Sequence, residues 1–191
     1  YNQLGLGQSP GTGFPGESTG TLPARIQWSR SERAALSYGY GLSVTAVQLA
    51  SAYTALANDG QRLPPSLLRL SEPPPGIPAI EPSVANDLLD ILETSVGAYT
   101  GGRRARVEGY RVGGKTGTVR KTGQQGYATD AYRSVFAGIA PISDPRIVTV
   151  VMIDHPKAGE FYGGAVAAPV FSSVTGNALR LLDVPPDYEV D

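Results

Sequence analysis

The sequence has no cysteine, one histidine, one methionine and one tryptophan among its 191 residues. Without a thiol there is no disulfide framework, no thiolate metal site and no cysteine nucleophile. That absence suits an oxidising compartment such as the periplasm, and it also suits the cytosol. The one histidine, His155, follows an expected strand end and precedes Pro156. A lone imidazole in that position reads as loop structure rather than as a base. No apolar run is long enough to span a bilayer. No block of like charge suggests a tail, and the net charge of -1 (16 basic, 17 acidic) gives no push toward nucleic acid or an anionic membrane surface. The opening residues Tyr1-Asn2-Gln3-Leu4 carry neither an initiator methionine nor a signal-peptide pattern. The chain is therefore expected to be cut from something longer, with any anchor or address outside it.

What remains is a composition of 41% apolar and 17% charged residues, which reads as one globular domain with a real core. Residues 1–24, rich in Gly, Ser, Thr and Pro, read as ordered loop. Ser29 with Glu32, and Thr45 with Gln48, have the spacing of helix-capping boxes. The first predicts a helix over Arg30–Ser37. The second opens a helix over 46–58 whose apolar face is Val47, Leu49, Ala50, Tyr53, Leu56 and Ala57, ended by Asn58-Asp59-Gly60. Leu67–Leu70 is a short strand candidate between proline clusters. Pro82 suits a first helical turn, and Val84, Leu88, Ile91, Leu92 and Val96 recur at helical spacing. Strands are expected over Tyr110–Val119, Tyr132–Ala140 and Ile147–Ile153, with a turn between Gly123 and Gly126. The last strand is apolar and β-branched, so it should be covered on both faces. A helix over Val166–Leu182 closes the pattern, with Pro169 tolerable only near its start. The expected class is α+β, with helices flanking an antiparallel sheet.

Two motifs invite a nucleotide. Gly11-Thr12-Gly13-Phe14-Pro15-Gly16 matches the dinucleotide fingerprint, but its flanks are polar loop and Pro15 removes an amide. Gly109 to Thr116 matches the phosphate-binding loop, and Val150–Asp154 resembles the strand that holds Mg²⁺. That loop needs an apolar strand upstream and a helix starting at the lysine, whose amides meet the phosphate. Arg103-Arg104-Ala105-Arg106 and a glycine-rich stretch stand there instead.

The same residues, Lys115-Thr116-Gly117-Thr118, lie on a strand candidate entering a hairpin. K-T-G is the third motif of serine acyl transferases of the β-lactamase and penicillin-binding class. In that chemistry Lys115 sets a positive charge beside the nucleophile and the substrate carboxylate. Thr116 and Thr118 offer hydroxyl donors to that carboxylate. Gly117 lets a substrate backbone lie against the strand. The Thr118 amide can donate to a developing oxyanion.

Nearly the whole chain resembles the division-specific class B penicillin-binding proteins of Gram-negative bacteria, the septal peptidoglycan transpeptidases called penicillin-binding protein 3. The resemblance rests on Gly11–Glu17, on Leu36–Thr45 with Gln48-Leu49-Ala50, and on Gly114–Thr118. Phe136–Pro141 with Asp144-Pro145-Arg146, Tyr162–Phe171 and Pro185-Pro186-Asp187 complete it. It implies the C-terminal portion of a penicillin-binding/β-lactamase-like transpeptidase fold and serine-type D,D-transpeptidation of peptidoglycan stem peptides. It further implies β-lactams as inhibitors, no cofactor or metal, and a place on the periplasmic face of the inner membrane with division-machinery membrane proteins as partners. The catalytic positions it implies are Lys115 and Thr118. The binding positions are Thr116, Gly117, Thr118 and Arg120, with Tyr132, Phe161 and Tyr162 as an aromatic wall. Arg120 could hold an anion or simply be an exposed strand arginine, the aromatics could be rim packing, and Phe161 and Tyr162 compete for the ligand-facing position. The family's S-x-x-K and S-x-N motifs are missing, because no serine here has Lys three or Asn two residues on. The N-terminal part of the same transpeptidase is expected to supply them. A D,D-carboxypeptidase or β-lactamase, or a catalytically dead sensor or scaffold of the division machinery, are the alternatives.

Overall fold

The computed structural model describes residues 1–23, 28–123 and 126–188. Ala24, at the end of the expected first loop, and Gln124-Gln125, at the expected hairpin turn, lie outside the described residues.

Both capping boxes form. In α1 (Arg30–Ser37) the Glu32 amide donates to Ser29 Oγ, and the Ser29 amide donates to the Glu32 carboxylate. In α2 (Ala46–Ala57) the Gln48 amide donates to Thr45 Oγ1 at 3.1 Å and the Thr45 amide to Gln48 Oε1 at 2.8 Å. Gln48 does more than close the box. It is 2% exposed, and its Nε2 donates to Gln8 O and Thr19 O at 2.6 and 2.9 Å, tying the first loop to the helix. Gln48→Ala is expected to lose the cap and strand two carbonyls, lowering stability by about 2–4 kcal/mol. Urea unfolding of the full-length protein measures it, and an unchanged midpoint would show that the tie is dispensable.

The turn after α2 brings Gly60 against the chain so closely that a Cβ there would sit 2.1 Å from Ile80 O. Next come β1 (Gln61–Arg62) and β2 (Ile77–Pro78), paired antiparallel. The expected strand at Leu67–Leu70 does not form. Leu67, Leu68 and Leu70 are exposed, and the Leu68 amide goes to Ser66 Oγ rather than to a ladder. Apolar side chains alone make no strand where the flanking prolines withhold donors.

Helix α3 (Pro82–Thr94) starts with Pro82 at its first turn, as expected. Its buried residues are Ala85 and Leu89, whereas Val84, Leu88 and Ile91 face outward; of the expected stripe, Val96, just past the helix, is buried in the core. Val47 on α2 is likewise exposed, while Tyr53, Leu56 and Ala57 join Leu89, Ile139 and Ile142 in one core cluster.

The main sheet has the order β3-β4-β5, all antiparallel: β3 (Gly113–Gly123), β4 (Gly126–Ala140) and β5 (Ile147–Asp154). Strand β3 starts later than the expected Tyr110. Tyr110 instead closes a turn with Val107 and buries its ring, its hydroxyl donating to Val184 O at 2.6 Å. Both faces of the sheet carry helices: α2 and α3 on one, α4 (Gly163–Leu181) on the other. On the α4 face Phe136 packs on Phe171 at 4.7 Å between ring centroids, among Ala140, Ala167, Ala168 and Leu179. Strand β5 is only half-buried, with Met152 exposed, so its expected full cover is incomplete within this chain.

Helix α4 begins before the expected Val166 and carries Pro169 within it. Proline there cannot donate to Ala165 O. That carbonyl instead accepts from an Arg104 Nη at 3.4 Å.

Candidate functional site

Strand β3 sets its side chains in alternation. In register, Lys115 pairs with Ala137, Thr116 with Phe136, Gly117 with Val135, Thr118 with Ser134 and Arg120 with Tyr132. Thr116, Thr118 and Arg120 therefore share the face on which Phe136 meets α4. Lys115 is exposed, its Nζ reaching Thr116 O at 3.1 Å and Thr116 Oγ1 at 3.4 Å. No described carboxylate forms an ion pair with it. An ammonium beside a hydroxyl and with no described carboxylate partner is suited to receive an anion from outside.

Two glycines set this strand at its depth. A Cβ on Gly114 would lie 2.6 Å from the Phe136 ring, so the strand rests on that ring. A Cβ on Gly163 would lie 2.5 Å from Gly117 O and 2.4 Å from Val135 O, so the start of α4 lies directly on β3 and β4. The Gly163 amide donates to Thr118 Oγ1 at 3.0 Å. At Gly117 itself a Cβ would meet only Val135, at an ordinary 3.5 Å, so packing within the chain does not demand glycine there.

The expected aromatic residues come together. Tyr132 and Phe161 stack at 4.1 Å with planes 14° apart, and Phe161 and Tyr162 are 4.5 Å apart. Ser134 Oγ donates to Phe161 O at 2.5 Å and fixes that loop on β4. Arg120 Nη donates to the Tyr132 hydroxyl at 3.0 Å, its guanidinium carbon lying 5.5 Å from the ring centroid. The two loop aromatics face different spaces. Tyr162, 60% exposed, lines a cleft of about 310 Å³ together with Thr116 and Thr118. Phe161 lines a separate hollow with Tyr132 and His155. His155 is exposed in a left-handed turn (φ 54°), its amide donating to Tyr132 O.

The cleft also holds residues to which the sequence assigned no part in the site. Thr100, Gly101, Arg103 and Arg104 form its other wall, and Gly163, Gly164 and Ala165 form its end. The available signal was the Thr-Gly-Gly-Arg-Arg run at 100–104, but its place depends on where α4 starts.

Both nucleotide motifs are already spent. The Glu17 carboxylate accepts from Ser9 Oγ, the Gly11 and Thr12 amides and the Thr12 hydroxyl, so the first glycine loop wraps its own anion. Those bonds, Ser9 foremost, hold its carboxyl down at about 2. Lys115 lies within a strand, with no helix starting at it. Asp154 is held by Lys121 at 2.8 Å and Arg133 at 3.0 Å, which keep its carboxyl below its usual range. Among the described residues no group of three or more His, Asp or Glu could hold a metal, and no helix is long and apolar enough to cross a membrane.

The family profile "Penicillin binding protein transpeptidase domain" matches residues 1–176. A probable peptidoglycan D,D-transpeptidase, PbpC, of Pseudomonas aeruginosa is 45% identical over 185 residues, covering 97% of this chain and 33% of that protein. The peptidoglycan D,D-transpeptidase FtsI of Escherichia coli K12 is 40% identical over 187 residues, covering 98% of this chain and 32% of that protein. Among solved structures, the transpeptidase domain of penicillin-binding protein 3 from Burkholderia pseudomallei superposes with a TM-score of 0.92 at 44% identity. That match covers 99% of this chain and 58% of the other. The chain thus spans about a third of the length of these curated relatives. It has the α+β transpeptidase fold, and it belongs to the penicillin-binding protein transpeptidase domain family.

Proposed function

We propose that the protein of which this chain is a part is a septal peptidoglycan D,D-transpeptidase, and that Lys115–Thr118 is one wall of its active site. The observation that carries this is the Lys115 ammonium beside the Thr116 hydroxyl, with no described carboxylate to pair with, on a strand that pairs on one side only among the described residues. The opposite edge is open to a substrate laid alongside as an added strand. Gly117 fits this reading, since the chain's own packing does not require a glycine there.

In this reaction a serine Oγ from the S-x-x-K motif, outside residues 1–191, attacks the penultimate D-Ala carbonyl of a stem peptide. Its proton passes to a base of the same segment, and the Thr118 amide donates to the oxyanion. The C–N bond breaks, terminal D-alanine leaves with a proton, and an ester remains. The amine of a neighbouring stem then attacks the ester, forms the crosslinking amide and returns the proton to the serine. A β-lactam presents the same carbonyl and carboxylate, and its ring-opened ester stays on the serine. Arg120, Tyr132, Phe161 and Tyr162 border the bound side chains. The N-terminal part of the transpeptidase completes the cleft. A periplasmic site anchored outside this chain and division-machinery membrane proteins as partners belong to the same reading.

The test is where penicillin attaches. Labelled benzylpenicillin on the full-length protein should acylate a serine outside residues 1–191, as read by mass spectrometry of a digest. An acylated serine within this chain would place the nucleophile elsewhere, and no acylation at all would favour a catalytically dead scaffold.

A further inference from the structure

We infer that Arg103 and Arg104 form an anion subsite, which together with Thr116 and Thr118 holds the terminal carboxylate of the donor peptide, or the matching carboxylate of a β-lactam. This rests on the transpeptidase reading above.

The subsite is built by the backbone. Thr100 Oγ1 donates to Ser95 O and Gly97 O, which closes the chain after α3. Gly102 presses on Ser95, where a Cβ would come within 2.4 Å of Ser95 O. A single 3₁₀ turn, Arg103–Ala105, follows, and the fully buried Ala105 pins it to the core. Arg103 and Arg104 are left exposed on the outer side of that turn. The start of α4 sits against the same segment, since a Cβ on Gly164 would lie 2.0 Å from Gly101 O. Arg104 is aimed by the fold: Pro169 leaves Ala165 O without its helical donor, and one Arg104 Nη takes that place. A guanidinium has five N–H donors, so the rest of the fork stays available.

The charge in this cleft is one-sided. Among the described residues no carboxylate lines it, and neither Arg103 nor Arg104 forms an ion pair with one. Thr118 Oγ1 already accepts from the Gly163 amide, so its proton is free to be donated into the cleft. The N-terminal end of α4 adds positive potential at the same place. Two guanidinium forks and a hydroxyl donor on one 310 Å³ space match the planar, two-oxygen geometry of a carboxylate.

The experiment compares acylation of the full-length protein by benzylpenicillin and by its methyl ester, which lacks the negative charge. Arg103→Gln and Arg104→Gln should each slow the free acid roughly 5- to 50-fold and leave the ester within about 2-fold, so the acid-to-ester rate ratio falls. The lysine variants at both positions should keep a large part of the acid rate, because the charge remains. They also decide the matter if a glutamine variant melts early. Added salt should slow the acid with wild type more than with the double glutamine variant. An unchanged acid-to-ester ratio would overturn the subsite. So would equal losses for acid and ester, which would make the arginines purely structural. A wild-type protein that neither compound acylates would instead sink the transpeptidase reading itself.

Discussion

Replacing Lys115 by alanine in the full-length protein is expected to slow acylation by benzylpenicillin roughly 30- to 1000-fold, the loss of about 2–4 kcal/mol of charge-assisted contact in a closed cleft. Among the described residues the exposed ammonium meets only Thr116, so the fold does not depend on it. The melting temperature should therefore stay close to wild type while the rate falls. Lys115→Arg should restore the rate only in part, because a planar fork cannot stand where a compact point charge is needed between a nucleophile and a carboxylate. The same pair of variants separates the two readings of this lysine. A phosphate-binding lysine would lose ATP affinity on substitution and leave acylation unchanged. That result would remove the central claim, and parallel measurement of acylation rates and ATP binding suffices to see it.

Local signals were the legible ones. Both capping boxes could be read because Ser29 with Glu32 and Thr45 with Gln48 satisfy each other within one turn, independent of the rest of the fold. Strand parity was legible too: Thr116, Thr118 and Arg120 were bound to share a face once β3 was a strand, and Arg120 does reach Tyr132 on the adjoining strand. What failed was whatever a distant neighbour decides. The leucines at 67–70 looked like a strand but have no ladder to join. On α3 the helical period could be read but not which side of it meets the core: Ala85 and Leu89 are buried where Val84 and Leu88 are exposed. The start of α4 was set too late, since Gly163 and Gly164 are poor helix formers. They are there for contact with Gly117, Val135 and Gly101, which no local propensity reports. The same blind spot hid Arg103 and Arg104. Their loop looks merely basic until the helix that meets it is in place.

That contact carries the second large expectation. Gly163→Ala in the full-length protein should cut acylation roughly 10- to 100-fold and also lower the melting temperature. The new methyl would stand 2.4 Å from Val135 O and 2.5 Å from Gly117 O, both backbone atoms that cannot rotate away. The helix end must then lift by most of an ångström, or β3 must give. Crowding of this kind costs about 1–3 kcal/mol of stability. The loss of rate comes by another route. As α4 lifts, the Gly163 amide leaves Thr118 Oγ1, and the hydroxyl that should face the carboxylate turns back to fill its own vacancy. A misplacement near 1 Å at a reacting site can cost about 100-fold. Tyr162 moves with the same helix end, so ligands with bulky side chains should suffer most. Acylation rates and a thermal melt on one preparation separate the two effects. A variant that melts early but acylates at the wild-type rate would show that α4 supports the fold without holding Thr118 in place.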